Sequence, residues 1–155
     1  MKFKSIARII AIAIVAILLN SCNVTFSLGG FEPSREVVQR AIALQLSLTQ
    51  KELRQHLKQH NVPASETPDY DINRVVISAE EPLAIQGAIS YHLRGTYNLT
   101  MKLADGRATD RGNPFDLYIQ RQKEGKTWRL ARQQPSGQND EPIWATYLIK
   151  PRGYI

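Results

Sequence analysis

Few residues in this 155-residue chain are of types that do chemistry: one cysteine, three histidines and 14 carboxylates. Cys22 is the sole thiol, so it has no disulfide partner and no companion thiolate for a metal. His56 and His60 are four apart, which puts both imidazoles on one face of a helix at a spacing that can grip a transition metal. No glutamate follows His56 directly and no third ligand is close in sequence, so two solvent-facing histidines are the plainer account. His92 falls at a polar position of an alternating segment and has the same explanation. Asp69-x-Asp71-x-Asn73, with Val76 at the eighth place and Glu80 at the twelfth, has the offsets of a calcium-binding loop. Arg74 stands where glycine makes the sharp turn of such a loop, and Pro68 and Pro82 deny it flanking helices. An Asp-rich turn running into a strand is therefore expected, with no metal and no cofactor.

Nucleophilic catalysis finds no Gly-x-Ser-x-Gly elbow and no Ser-x-x-Lys pair. Asp105, Asp110 and Asp116 are available as paired carboxylates for acid–base work, but turns account for the first two and strand alternation for the third. An enzyme is thus not the expectation. The remaining distinctive cluster is a basic hairpin of Arg121, Lys123, Lys126, Arg129 and Arg132 with Trp128 among them. Cations beside an aromatic at a turn suit acidic head groups, an acidic protein face or an anionic ligand. A solvated hairpin is the plainer alternative.

The setting of Cys22 carries more information. A basic start (Lys2, Lys4, Arg8) precedes an unbroken apolar run from Ile9 to Leu19 and then Leu19-Asn20-Ser21-Cys22. The run falls short of the roughly 20 residues a spanning helix needs and has the zones of an export signal. Leu at the third place before the cysteine and Ser immediately before it resemble the lipobox of bacterial lipoprotein precursors, from which Asn20 departs. The resemblance implies cleavage before Cys22, a thioether-linked diacylglycerol on its sulfur and a further acyl chain such as palmitate on its amine. Two or more chains give stable anchoring. The expected organisation is a signal peptide over 1–21, a tether over 22–33 ending in Gly29-Gly30 and Pro33, and one domain over 34–155. The signal carries three of the 20 basic residues, so the charge falls from +6 to +3 on cleavage, too mild for a nucleic-acid partner.

The elements expected in that domain follow from periodicity. Ser34 offers an N-cap to a helix whose Val37, Val38, Ala41, Ile42, Leu44 and Leu48 recur at three- and four-residue intervals. Thr49-Gln50-Lys51-Glu52 matches a capping box, which predicts a break and a second helix to about His60 with Leu53 and Leu57 inward. Two prolines make 61–68 a loop. From Ile89 to Leu103 the period becomes two, with apolar odd positions, Gly95 as a bulge site and Asp105-Gly106 as a hairpin turn. Further strands are expected at 72–78, 115–122, 127–133 and 143–150.

Helices followed by an antiparallel meander predict an α+β domain, its curved sheet wrapping the N-terminal helices. The element order over 34–150 resembles the cystatin-like and nuclear-transport-factor-like folds, which host enzymes, binding modules and assembly factors alike. The chain also resembles uncharacterised cyanobacterial lipoproteins, which implies the thylakoid lumen and photosynthetic complexes as candidate location and partners; the expected location is the periplasmic, lumenal or cell-surface side of a membrane. The expected function is a lipid-anchored exported domain with a non-enzymatic binding role, as accessory or assembly factor of a membrane-associated complex. The alternative is a small-ligand carrier or small enzyme using the concave face of the sheet, with Tyr91, Tyr97, Met101 and Trp144 lining a pocket.

Overall fold

The structure is a computed structural model that describes residues 32–61, 69–134 and 142–151. The chain divides into two units, Met1–Gly30 and Phe31–Ile155. The signal segment, the lipobox, the tether up to Phe31 and the loop over 62–68 lie outside the described residues.

In the second unit one α-helix is followed by five strands: α1 (Arg35–Gln59), β1 (Tyr70–Ile85), β2 (Ala88–Leu103), β3 (Gly106–Arg121), β4 (Trp128–Gln134) and β5 (Ile143–Ile149). The strands form one antiparallel sheet in sequence order, an open meander with β1 and β5 at its edges. This is the expected α+β class, with a single helix in place of two. Ser34 caps α1 by accepting the Val37 amide at 3.3 Å. The helix then runs through Thr49 without a break. A capping box at Thr49 requires the chain to leave helical geometry and give up several backbone hydrogen bonds. No glycine or proline between Ser34 and Asn61 forces that loss.

Packing rather than propensity holds the helix. Val37, Val38, Ala41 and Ile42 are buried against Leu93, Phe115, Leu117, Ile119 and Leu130. Burying Val38 and Ile42 contributes about 2 kcal/mol each. The C-terminal half outruns the sheet, so Leu53 is 56% exposed and Leu57 only half-buried, a correction to their expected inward placement.

The sheet bends around α1. The Tyr70 hydroxyl of β1 donates to the Ala43 carbonyl at 3.2 Å. Ala43 also lines a groove of about 290 Å³ with Leu148 and Ile149 of β5 and the following Lys150. Edge strands of a flat five-stranded sheet lie about 19 Å apart, too far for one helical turn to meet both. Register shifts in β1 between Asn73 and Val76 and between Ile77 and Ala79 supply part of the bend, with Arg74 at φ 48° in the first. Gly95 faces this region in β2, where an added Cβ would lie 2.8 Å from the Phe115 ring.

The sheet also forks. β3 pairs with β2 along nearly its full length but with β4 only from Tyr118 to Arg121. The arm built from the first parts of β1 and β3 and the end of β2 has a polar side, joined by Lys102 to Asp69 at 2.5 Å and by Thr100 to Thr109 at 3.1 Å, while Ile72 and Leu99 join the core.

Candidate functional site

Strand alternation gives the sheet two faces. The one turned to α1 carries the apolar core, including Tyr91 (3% exposed) and Tyr97 (8% exposed). The opposite face carries the even positions of β2, which meet Asp116, Tyr118 and Gln120 of β3. Part of it is closed by the chain itself. Gln120 donates to the Ile85 carbonyl at 2.9 Å, and Ile85, Ser90 and Ala131 are buried beside it. Gln86, in the turn between β1 and β2, reaches the Trp144 carbonyl at 3.5 Å.

Beyond that small second core lies a polar and aromatic row. His92 stacks on Tyr118, its partner across the β2–β3 ladder, with centroids 4.3 Å apart and planes 9° from parallel. Tyr118 meets Trp144 edge-on at 4.9 Å. Trp144 stands on β5, two strands away, and the small Ala131 between them on β4 leaves room for the contact. The row thus spans four strands with a contact geometry favourable to aromatic pairs.

Carboxylates flank the imidazole on both sides. His92 Nε2 lies 2.8 Å from Asp116 Oδ1, and Nδ1 faces Glu81 Oε2 at 3.6 Å. Arg94 holds the other Glu81 oxygen. An aspartate–imidazole pair is half of a catalytic triad, but a general base needs its second nitrogen on a nucleophile or substrate. Here that nitrogen faces a second carboxylate. The nearest serine on the face, Ser90, is buried and donates to the Ala88 carbonyl at 3.0 Å. The cluster joins His92, Asp116, Glu81 and Arg94 across three strands of this face.

Comparison with protein-family models, curated proteins and solved structures gives no match. The residues alone therefore carry the functional interpretation.

The residues singled out from the sequence disperse. Tyr91 and Tyr97 sit in the core beneath α1, Met101 is half-buried in the polar arm and Trp144 stands on the other face, so the four line no common cavity. The basic hairpin divides as well. Arg132 donates two hydrogen bonds to Glu52 of α1, at 2.6 and 3.0 Å. That pairing holds the Glu52 carboxyl below the ordinary carboxylate range. Arg129 points to the opposite face and binds the hydroxyl and carbonyl of Thr146, both at 2.9 Å. Trp128 packs on Tyr91 with centroids 6.0 Å apart. Arg121 reaches the Gly125 carbonyl at 3.4 Å. Lys123 and Lys126 are exposed at the tip and enter no ion pair among the described residues.

The calcium-like spacing lies along extended β1, where Asp69 and Glu80 are separated by about 36 Å of strand. Asp69 pairs with Lys102, whose ammonium lowers its pKa, while burial raises that of Glu80. His56 and His60 stand on the projecting end of α1 with ring centroids 4.6 Å apart. Among the described residues no group of three or more histidines, cysteines or carboxylates is arranged to hold a metal ion. Nor is any described helix long and apolar enough to cross a membrane. Glu81, Arg94 and Tyr118 were not visible as a set in the sequence. Arg94 follows from strand alternation, two residues from His92 on β2, whereas Glu81 and Tyr118 become its neighbours only once the register of β1, β2 and β3 is fixed.

Proposed function

We propose that this chain is an exported, lipid-anchored domain with a non-enzymatic binding role, held to a membrane through lipid on Cys22 and serving as an accessory or assembly factor of a membrane-associated complex. The anchor rests on the lipobox resemblance and on a lone thiol that has no other chemical employment in the chain. The binding role rests on one structural observation. The helix-free face carries a row of His92, Tyr118 and Trp144, with Asp116 hydrogen-bonded to one imidazole nitrogen and Glu81 3.6 Å from the other. Aromatic side chains held rigid beside charged groups are the usual energetic centres of protein interfaces.

The test is to extract the natively anchored protein in mild detergent and measure its size on a native gel. Wild type is expected to migrate well above the monomer. Tyr118→Ala and Trp144→Ala leave the core under α1 intact and are expected to return it to monomer size while it stays in the membrane fraction. A monomeric wild type, or a large species indifferent to both substitutions, contradicts the binding role of this face.

A further inference from the structure

The end of the domain where the chain enters from the tether has a chemistry of its own. Burial raises the pKa of Glu80 and Tyr91, and the neighbouring Glu32 carboxylate adds to both shifts, which puts Glu32 beside the middle of β1 and the start of β2. Ile89, two residues before Tyr91, is 47% exposed. Beside it a recess of about 370 Å³ opens between the turn at Gly87–Ala88 and the turn running from Arg121 to Gly125. Its rim is cationic, with Lys123 in the lining and Lys126 on the same tip. The single acid of that tip, Glu124, also lines the recess and accepts the Thr127 hydroxyl at 2.5 Å.

We propose that this end docks on the anionic lipid surface of the membrane that holds Cys22, with Ile89 entering the head-group layer and Lys123 and Lys126 meeting phosphates. The inference rests on the anchored reading above and deepens it, because it assigns the domain an orientation. Three observations select a bilayer over other occupants. The exposed apolar side chain and the free ammonium groups sit together at turn tips, the geometry that enters a head-group layer without disturbing the core. Two lysines, Lys123 and Lys126, outnumber the one carboxylate of the tip, Glu124. The eleven residues from Asn23 to Pro33 reach at most about 39 Å, which keeps the bilayer within range of this end. Docking by this end orients the domain, and the opposite face with the His92 row is left for a protein partner.

The experiment uses the full acylated protein in vesicles of zwitterionic lipid with and without an anionic lipid. An environment-sensitive fluorophore is placed at Ile89→Cys or, at the far end of β2, at Leu103→Cys, and nitroxide lipids report depth. Flotation of the same samples reports anchoring independently. In anionic vesicles the label at 89 is expected to shift to the blue and to be quenched at least twofold more than the label at 103. Lys123→Glu and Lys126→Glu should each lower the docked-to-undocked ratio by at least about fivefold, the worth of one lysine near an anionic surface. Added inorganic phosphate in place of anionic lipid should leave the label in water. Protein that floats with equal quenching at both positions overturns the docking and leaves the anchor standing. Protein that does not float and carries no acyl mass overturns both. A blue shift produced equally by phosphate alone overturns the lipid assignment.

Discussion

The pair of Arg132 and Glu52 ties the last strands of the meander to the helix 80 residues earlier, through two parallel hydrogen bonds. It carries a pH signature with a definite sign. The carboxyl is held below its ordinary value, chiefly by the hydrogen bonds from Arg132. Its contribution is therefore complete above the unfolded carboxylate pKa of about 4.3 and is lost as pH falls through the lower folded value. Solvent reaches the pair, so the amount is about 0.5–1 kcal/mol. Glu52→Gln should lower stability by that amount at pH 7 and by close to nothing at pH 3, as read from urea unfolding at both values. An equal loss at both would assign the effect to packing instead. At this scale the sequence was only partly legible. It placed His92 on the polar side of its strand, but Glu81 and Asp116 reach it from neighbouring strands whose register it does not spell out. The basic hairpin looked like one patch because five cations are close in number. Residues 129 and 132 differ by an odd step on a strand and so face opposite ways, and each found a partner of its own.

Thr49 decides between two descriptions of the helical segment. As an N-cap, its replacement by alanine would cost about 1 kcal/mol. Within a continuous helix the same substitution exchanges a β-branched residue for the best helix former and should be neutral or stabilising by about 0.5 kcal/mol. Thermal or urea unfolding of Thr49→Ala is expected to show the second result, and a loss of 1 kcal/mol would restore the break. The element order, the Ser34 cap, the turn after Leu103 and the turn near Gly125 were all readable, because capping and turn residues act locally. Strand lengths were not. The first half of β3, with Arg107, Asp110, Arg111, Asn113 and Pro114, has no apolar alternation and is a strand only because β2 supplies its hydrogen-bond partners. β1 runs on past the expected end at Ser78 to Ile85 and tolerates Pro82 because it is an edge strand of the sheet.

At the scale of the whole molecule the domain has two unlike surfaces and one entry point. The concave side is covered by α1 and its apolar contacts, with Tyr91 and Tyr97 among the core residues beneath the helix. The other side presents the His92, Tyr118 and Trp144 row, and the entry end presents Ile89 with Lys123 and Lys126. The fold class was legible because periodicity switches once, from near four to two, at the boundary between helix and sheet. The use of each surface was not, since it depends on which strands adjoin and on how far the sheet bends. All of this takes its biological sense from the anchor, a chemical event at one residue. The decisive measurement is the intact mass of the natively expressed protein, taken with its membrane fractionation, for wild type and Cys22→Ala side by side. The account predicts that wild type lacks residues 1–21, carries acyl mass on Cys22 and sediments with membranes, while Cys22→Ala gains no acyl mass. Wild type that retains 1–21 and is unacylated would contradict it.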